Sequence, residues 1–143
     1  MNKLGIVFLI LILGLAVTAA AEEPAHVTVQ HILIAFQGSI PEAKVTRTRA
    51  EAEALAAEVF ERAKKGEDFA ALVKQYTDDE FPGIYKMSNF DVAPDTAKPE
   101  YSRAKMVKSF GDVSFALKVG EIGMAVYDPK ASKYGWHIIK RLE

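Results

Sequence analysis

Two short apolar runs near opposite ends of the chain each carry one histidine, and this feature constrains the fold most. They are Val29-Gln30-His31-Ile32-Leu33-Ile34 and Trp136-His137-Ile138-Ile139, the second introduced by Tyr134-Gly135. β-Branched and aromatic side chains favour strands, and apolar character on both faces calls for a strand covered on both sides. Side-chain alternation puts Val29, His31, Leu33 and Ala35 on one face of the first strand. Ile32, Ile34 and Phe36 fall on the other. If the two runs pair at the centre of a sheet, their imidazoles face one another, and everything between must wrap around that pair.

The intervening sequence reads as mostly helical. Gln37–Arg47 contains Gly38, Ser39 and Pro41 and is predicted to be a loop. Thr48-x-x-Glu51 is a capping box, and the alanine-rich helix after it buries Ala52, Leu55, Ala56, Val59 and Ala63. Lys64-Lys65-Gly66 ends that helix with cations and a glycine. Asp68 caps a short second helix with Phe69, Leu72, Val73 and Tyr76 on its buried face. Residues 84–90 read as a short irregular strand, and Asp91–Glu100, with Pro94 and Pro99, as an exposed mobile loop. Met106, Val107, Phe110, Val113 and Leu117 mark a third helix. Ile122–Tyr127 and Trp136–Leu142 are predicted to be antiparallel strands. This order of elements implies an α+β domain with helices packed on one small sheet.

The amino terminus reads as a targeting segment. Lys3, the apolar stretch Leu4–Val17 and Ala19-Ala20-Ala21 follow the order of a secretory signal peptide, with cleavage expected after Ala21. The alternative is an uncleaved anchor, since Leu4–Ala21 is just long enough to span a bilayer. Residues 1–21 are therefore set apart, 22–26 form a short polar lead, and 27–143 form the domain. Either reading places the domain outside the cytoplasm, with the periplasm as the expected compartment and membrane contact only through an uncleaved segment.

Composition excludes several classes of chemistry. The formal charge is −1, so no basic excess favours nucleic acid. There is no cysteine, which removes disulfides, thiolate metal sites and a thiol nucleophile. A metal site built on His31 and His137 fails on ligand number, because only His26, in the polar lead, remains as a third imidazole. None of the serines lies in a G-x-S-x-G context, which argues against a serine hydrolase. Each histidine alone reads as an ordinary core residue. In Thr77-Asp78-Asp79-Glu80 a solvated acidic turn is expected for Asp78 and Glu80. A carboxylate turned inward there would orient an imidazole. Met106, Phe110 and Phe115 serve equally as core side chains or as the walls of an apolar pocket.

Five segments in order make the sequence recognisable. They are Val29–Ile34, Gly66–Asp79, Phe110–Leu117, Val119–Gly123 and Tyr134–Ile139. Together they resemble the parvulin family of peptidyl-prolyl cis/trans isomerases. The resemblance implies an FKBP-like α+β fold, a four-stranded antiparallel sheet wrapped by about four helices. It implies an active site at His31, His137 and Asp79, with a proline-ring pocket at Met106, Phe110 and Phe115 and Ile84 as a further wall. It implies no cofactor and no metal, and proline-containing unfolded or extended polypeptides as partners. The runner-up is a parvulin-fold module that holds unfolded chains with little isomerase activity. A membrane-tethered structural domain is a third reading. The sequence departs from the family pattern in three places. Pro82-Gly83-Ile84-Tyr85-Lys86-Met87 replaces the usual Gly-Gly-Asp-Leu-Gly, Val107 stands where a glutamine is often found after the pocket methionine, and Asp91–Lys105 is longer than usual. Phosphate-specific relatives carry a basic cluster after the first strand. Lys44, Arg47 and Arg49 are the candidates here, and a non-phosphorylated X–Pro bond is the expected substrate.

Overall fold

The computed structural model describes residues 21–143. The predicted signal peptide or anchor, residues 1–21, lies outside the described residues except for Ala21. Strand β1 (His26–Ile34) is followed by helices α1 (Arg49–Lys64) and α2 (Phe69–Tyr76). Strands β2 (Ile84–Ser88) and β3 (Glu100–Ser102) come next, then a 3₁₀ turn (Arg103–Lys105) and helix α3 (Lys108–Ala116). Strands β4 (Ile122–Ala125) and β5 (Trp136–Arg141) close the chain.

The sheet has the order β3-β2-β1-β5-β4. β1 is central, antiparallel to β2 on one side and to β5 on the other. Its two faces carry separate cores, as its continuous apolar pattern requires. Ile32, Ile34 and Ile138 pack against Ala52, Ala56, Val59, Phe69 and Leu72 of α1 and α2. Val27, Val29, Met87 and Ile139 pack against Phe110 and Phe115 of α3.

Local signals held where the partner groups are local. The capping box forms, with Thr48 Oγ1 accepting from the Glu51 N–H and the Glu51 carboxylate accepting from the Thr48 N–H. Asp68 accepts from the Ala71 N–H at 3.0 Å and starts α2.

The family-type sheet is corrected in one respect. It has five strands, and the added β3 runs parallel to β2 at the edge. β3 comes from the end of the segment expected to be a loop. The buried Glu100 carboxylate holds it, bonding His26 Nδ1 at 3.0 Å and accepting from the Asp95 N–H. His26 accordingly belongs to β1 rather than to a polar lead. Among the described residues, three α-helices and one 3₁₀ turn stand in place of about four helices. The third helix starts at Lys108 rather than at Met106. Met106 and Val107 have extended backbones, and Ala131 of a distant loop supplies the carbonyl that accepts from the Ser109 N–H.

Candidate active site

The site lies on the α3 face of the sheet. Alternation along the strands puts His31 and Leu33 of β1, Tyr85 of β2 and His137 of β5 on this one face. The register pairs His31 with Ile139 and Leu33 with His137, so the two imidazoles meet on the diagonal. Their rings are nearly parallel at 5.5 Å, and the two Nδ1 atoms stand 3.3 Å apart. Both side chains are buried.

The turn after α2 is laced to the end of β1. The Asp78 N–H donates to the Leu33 carbonyl, the Leu33 N–H to Thr77 Oγ1, and the Ala35 N–H to the Asp78 carboxylate. Beyond the turn, the Gly83 carbonyl accepts from the His31 N–H at 2.9 Å. Gly83 has φ +68°, and a Cβ there would meet the His31 carbonyl at 2.6 Å, so the close crossing admits only glycine. This lacing carries the Asp79 carboxylate to His31, where Oδ2 bonds His31 Nε2 at 3.0 Å. The Tyr85 hydroxyl donates to the same oxygen at 2.9 Å.

The electrostatics follow from this chain of bonds. The hydrogen bond from His31, reinforced by that from Tyr85, holds the Asp79 carboxyl well below the usual carboxylate range, against the opposing effect of burial. Burial, together with the hydrogen bond to Asp79, pushes the Tyr85 phenol above its ordinary value. Burial, aided by the neighbouring His31, pushes His137 down to about 3, so it is a neutral imidazole near pH 7. Its Nε2 has no partner among the described residues.

Above this floor is an apolar cavity of about 340 Å³. Its apolar lining comes from Met106, Val107 and Phe110 beside α3 and from Leu33, Ile40, Pro41 and Tyr134. The Phe110 ring lies 5.1 Å from His31 and 5.5 Å from His137, so apolar wall and polar floor are in contact.

Of the site residues expected from sequence, His31, His137, Asp79, Met106 and Phe110 come together. Phe115 does not line the cavity: it is fully buried behind Phe110 in the core. Ile84 is half exposed and faces a separate groove, because alternation along β2 turns Tyr85 inward instead. Tyr85, Ile40, Pro41 and Tyr134 were missed. Tyr85 shares a face with the buried Met87 by alternation, but the reading of residues 84–90 as an irregular strand assigned no face to either. Asp78 is not a solvated turn residue either, for it pairs with Arg47 as well as with the Ala35 N–H.

The candidate phosphate cluster is dispersed. Arg47 is occupied by Asp78 and the Ala35 carbonyl, and Arg49 lies over the Tyr127 ring. Among the described residues, no group of three or more histidines and carboxylates is placed to hold a metal ion.

Residues 15–143 match the PPIC-type PPIase domain. The chain belongs to this family, the parvulins. Foldase protein PrsA from Geobacillus sp. (strain WCH70) is 34% identical over 122 residues, covering 85% of this chain and 39% of that protein. Chaperone SurA from Chromohalobacter salexigens is 34% identical over 113 residues, covering 78% of this chain and 21% of that protein. The parvulin domain therefore spans well under half the length of these curated relatives. The solution structure of TbPIN1 superposes with a TM-score of 0.60 at 25% identity, covering 83% of this chain and 98% of that one.

Proposed function

We propose that this parvulin is a peptidyl-prolyl cis/trans isomerase that assists the folding of proteins outside the cytoplasm, acting on extended or unfolded chains. The observation that carries this reading is the contact between an apolar slot and the hydrogen-bonded Asp79–His31–His137 floor. Rotation about a peptide bond faces a barrier of about 18–20 kcal/mol from amide resonance. Both isomers of an X–Pro bond are populated, so a catalyst need only lower that barrier.

Met106, Val107 and Phe110 grip the pyrrolidine ring on one side of the bond. The preceding carbonyl then lies over the imidazoles. Twisting the amide removes negative charge from the carbonyl oxygen and returns it to the nitrogen. A site that meets the carbonyl with the buried, neutral His137 imidazole and apolar walls favours the twisted state over both planar isomers. Asp79, His31 and His137 shape this environment. They transfer no proton, and the reaction needs no cofactor, metal or covalent intermediate.

The extracytoplasmic setting is supported by the apolar leader ending in Ala19-Ala20-Ala21. Exchange between cis and trans isomers in short X–Pro peptides, followed by NMR with the full chain, tests the activity. Exchange well above the uncatalysed rate, and lost in Phe110→Ala with the fold retained, is expected. No catalysis across a range of residues before proline would overturn the reading. Similarity to a chaperone favours a second reading, a peptide-holding module with little isomerase activity. Binding to an unfolded chain without catalysis would select it.

A further inference from the structure

Two donors converge on one oxygen of Asp79. His31 Nε2 reaches Oδ2 from β1 at 3.0 Å, and the Tyr85 hydroxyl reaches the same Oδ2 from β2 at 2.9 Å. The terminal torsion of an aspartate is broad, so a carboxylate held by one bond can turn. Asp79 has room to do so, since its side chain is 30% exposed. A second donor on the same oxygen removes that freedom and keeps Oδ2 towards His31.

Tyr85 is itself held firmly. Its ring meets the His31 ring edge-on at 5.1 Å and 87°, and it stands 5.7 Å from Phe110 and 5.9 Å from Tyr101. The register of β2 pairs Tyr85 with Val29 of β1, so the sheet rather than a loop sets its place. Burial, together with the bond to Asp79, raises the phenol above its ordinary value, so it keeps its proton and remains a donor. With the larger effect of His31, its bond helps keep the Asp79 carboxyl ionised. Tyr85 lies in Pro82–Met87, where this chain departs from the family pattern, and that pattern has no phenol to offer.

We propose that Tyr85 is a positioning residue of the isomerase site: its hydroxyl fixes the Asp79 carboxylate, which in turn keeps the His31 proton on Nε2 and leaves Nδ1 to accept from His137. The inference rests on the isomerase reading and adds a residue to it. The phenol is occupied by Asp79, so it acts on the reacting bond only through the carboxylate and the two imidazoles. Without the hydroxyl, Asp79 turns towards water and the His31 proton distributes over both ring nitrogens. The polar floor beneath the carbonyl then no longer has one arrangement.

The test starts from Tyr85→Phe, which removes the hydroxyl and keeps the ring. In X–Pro exchange with the full chain, kcat is expected to fall about tenfold, the rate equivalent of one hydrogen bond to a charged group. KM is expected to stay within a factor of about two. In an Asp79→Ala background the same substitution is expected to change kcat little, because the carboxylate it acts through is gone. Nitrogen NMR of the imidazoles is expected to show His31 protonated at Nε2 in the wild-type chain, and a mixture of tautomers in folded Tyr85→Phe. An unchanged kcat, or a rise in KM alone, would make Tyr85 only a wall of the slot and overturn the proposal. An undiminished fall in kcat in the Asp79→Ala background would also overturn it, since the phenol would then act without the carboxylate. So would a wild-type His31 carrying its proton on Nδ1, a measurement that needs no variant. If the wild-type chain catalyses no exchange, the isomerase reading fails and the tautomers decide. A shift in Tyr85→Phe would then support the positioning role, and unchanged tautomers would overturn it.

Discussion

His31 and His137 are joined through facing Nδ1 atoms 3.3 Å apart, a contact with room for a single proton. Asp79 determines which ring supplies it. With His31 Nε2–H donating to the carboxylate, a neutral His31 has a bare Nδ1, which accepts from His137 Nδ1–H. His137 Nε2 is then left bare in an apolar setting, and adding a proton there would create a buried cation beside another imidazole.

Acid should therefore destabilise the protein before its carboxylates titrate. His137 has a folded value of about 3 against 6.5 for the ordinary group. Between these values the unfolded chain binds the proton and the folded chain refuses it. Stability is fully present above about pH 6.5 and falls with pH by about 1.4 kcal/mol per unit for this one group. The lowered Asp79 value adds a second loss only below the usual carboxylate range. Urea unfolding at pH 7, 6, 5 and 4.5 measures the slope. His137→Phe is expected to flatten it, and an equal slope in that variant would place its origin elsewhere.

Met106 tests the slot with little disturbance of the core. Its backbone is extended and lies outside α3, and its side chain is only partly buried. Met106→Ala should lower kcat/KM about tenfold through lost contact with the proline ring, with a small change in unfolding midpoint. A large stability loss with unchanged turnover would make Met106 a core residue instead.

Arg47 acts at a distance from the reacting bond. It ties the Ala35 carbonyl to Asp78, and its own carbonyl accepts from the Gln37 N–H, closing the loop that carries Ile40 and Pro41. Arg47→Ala is expected to raise KM severalfold while kcat stays within a factor of about two to three, and to speed amide exchange across residues 37–47. Unaltered exchange in that loop would rule out a positioning role.

Arg103 is a buried cation on the 3₁₀ turn before α3. Its guanidinium lies between the Phe90 and Phe115 rings and pairs with Glu23, Asn89 and Asp112. Truncation to Ala removes both packing and charge pairing and should cost about 2–3 kcal/mol. Glu23→Gln should cost less than about 1 kcal/mol, because that carboxylate is nearly half exposed. Thermal unfolding of the two variants measures the difference, and equal losses would contradict this ranking.

The sequence by itself determined what depends on neighbours in the chain. The capping box at Thr48 and Glu51, the Asp68 cap and the two faces of β1 all rest on groups within four residues of one another, so spacing alone reveals them. The family resemblance pointed to His31, His137, Asp79, Met106 and Phe110, which the structure brings together around one cavity. Tertiary structure decided the rest, because the deciding partner lies far along the chain. The start of α3 depends on the Ala131 carbonyl, the edge strand β3 on Glu100 meeting His26, and the inward Asp78 on Arg47. The diagonal meeting of His31 with His137 depends on strand register, which a one-residue slip would reverse. Ile84 and Tyr85 are adjacent in sequence, yet only the register of β2 against β1 turned the tyrosine into the site and left the isoleucine in the groove beside it.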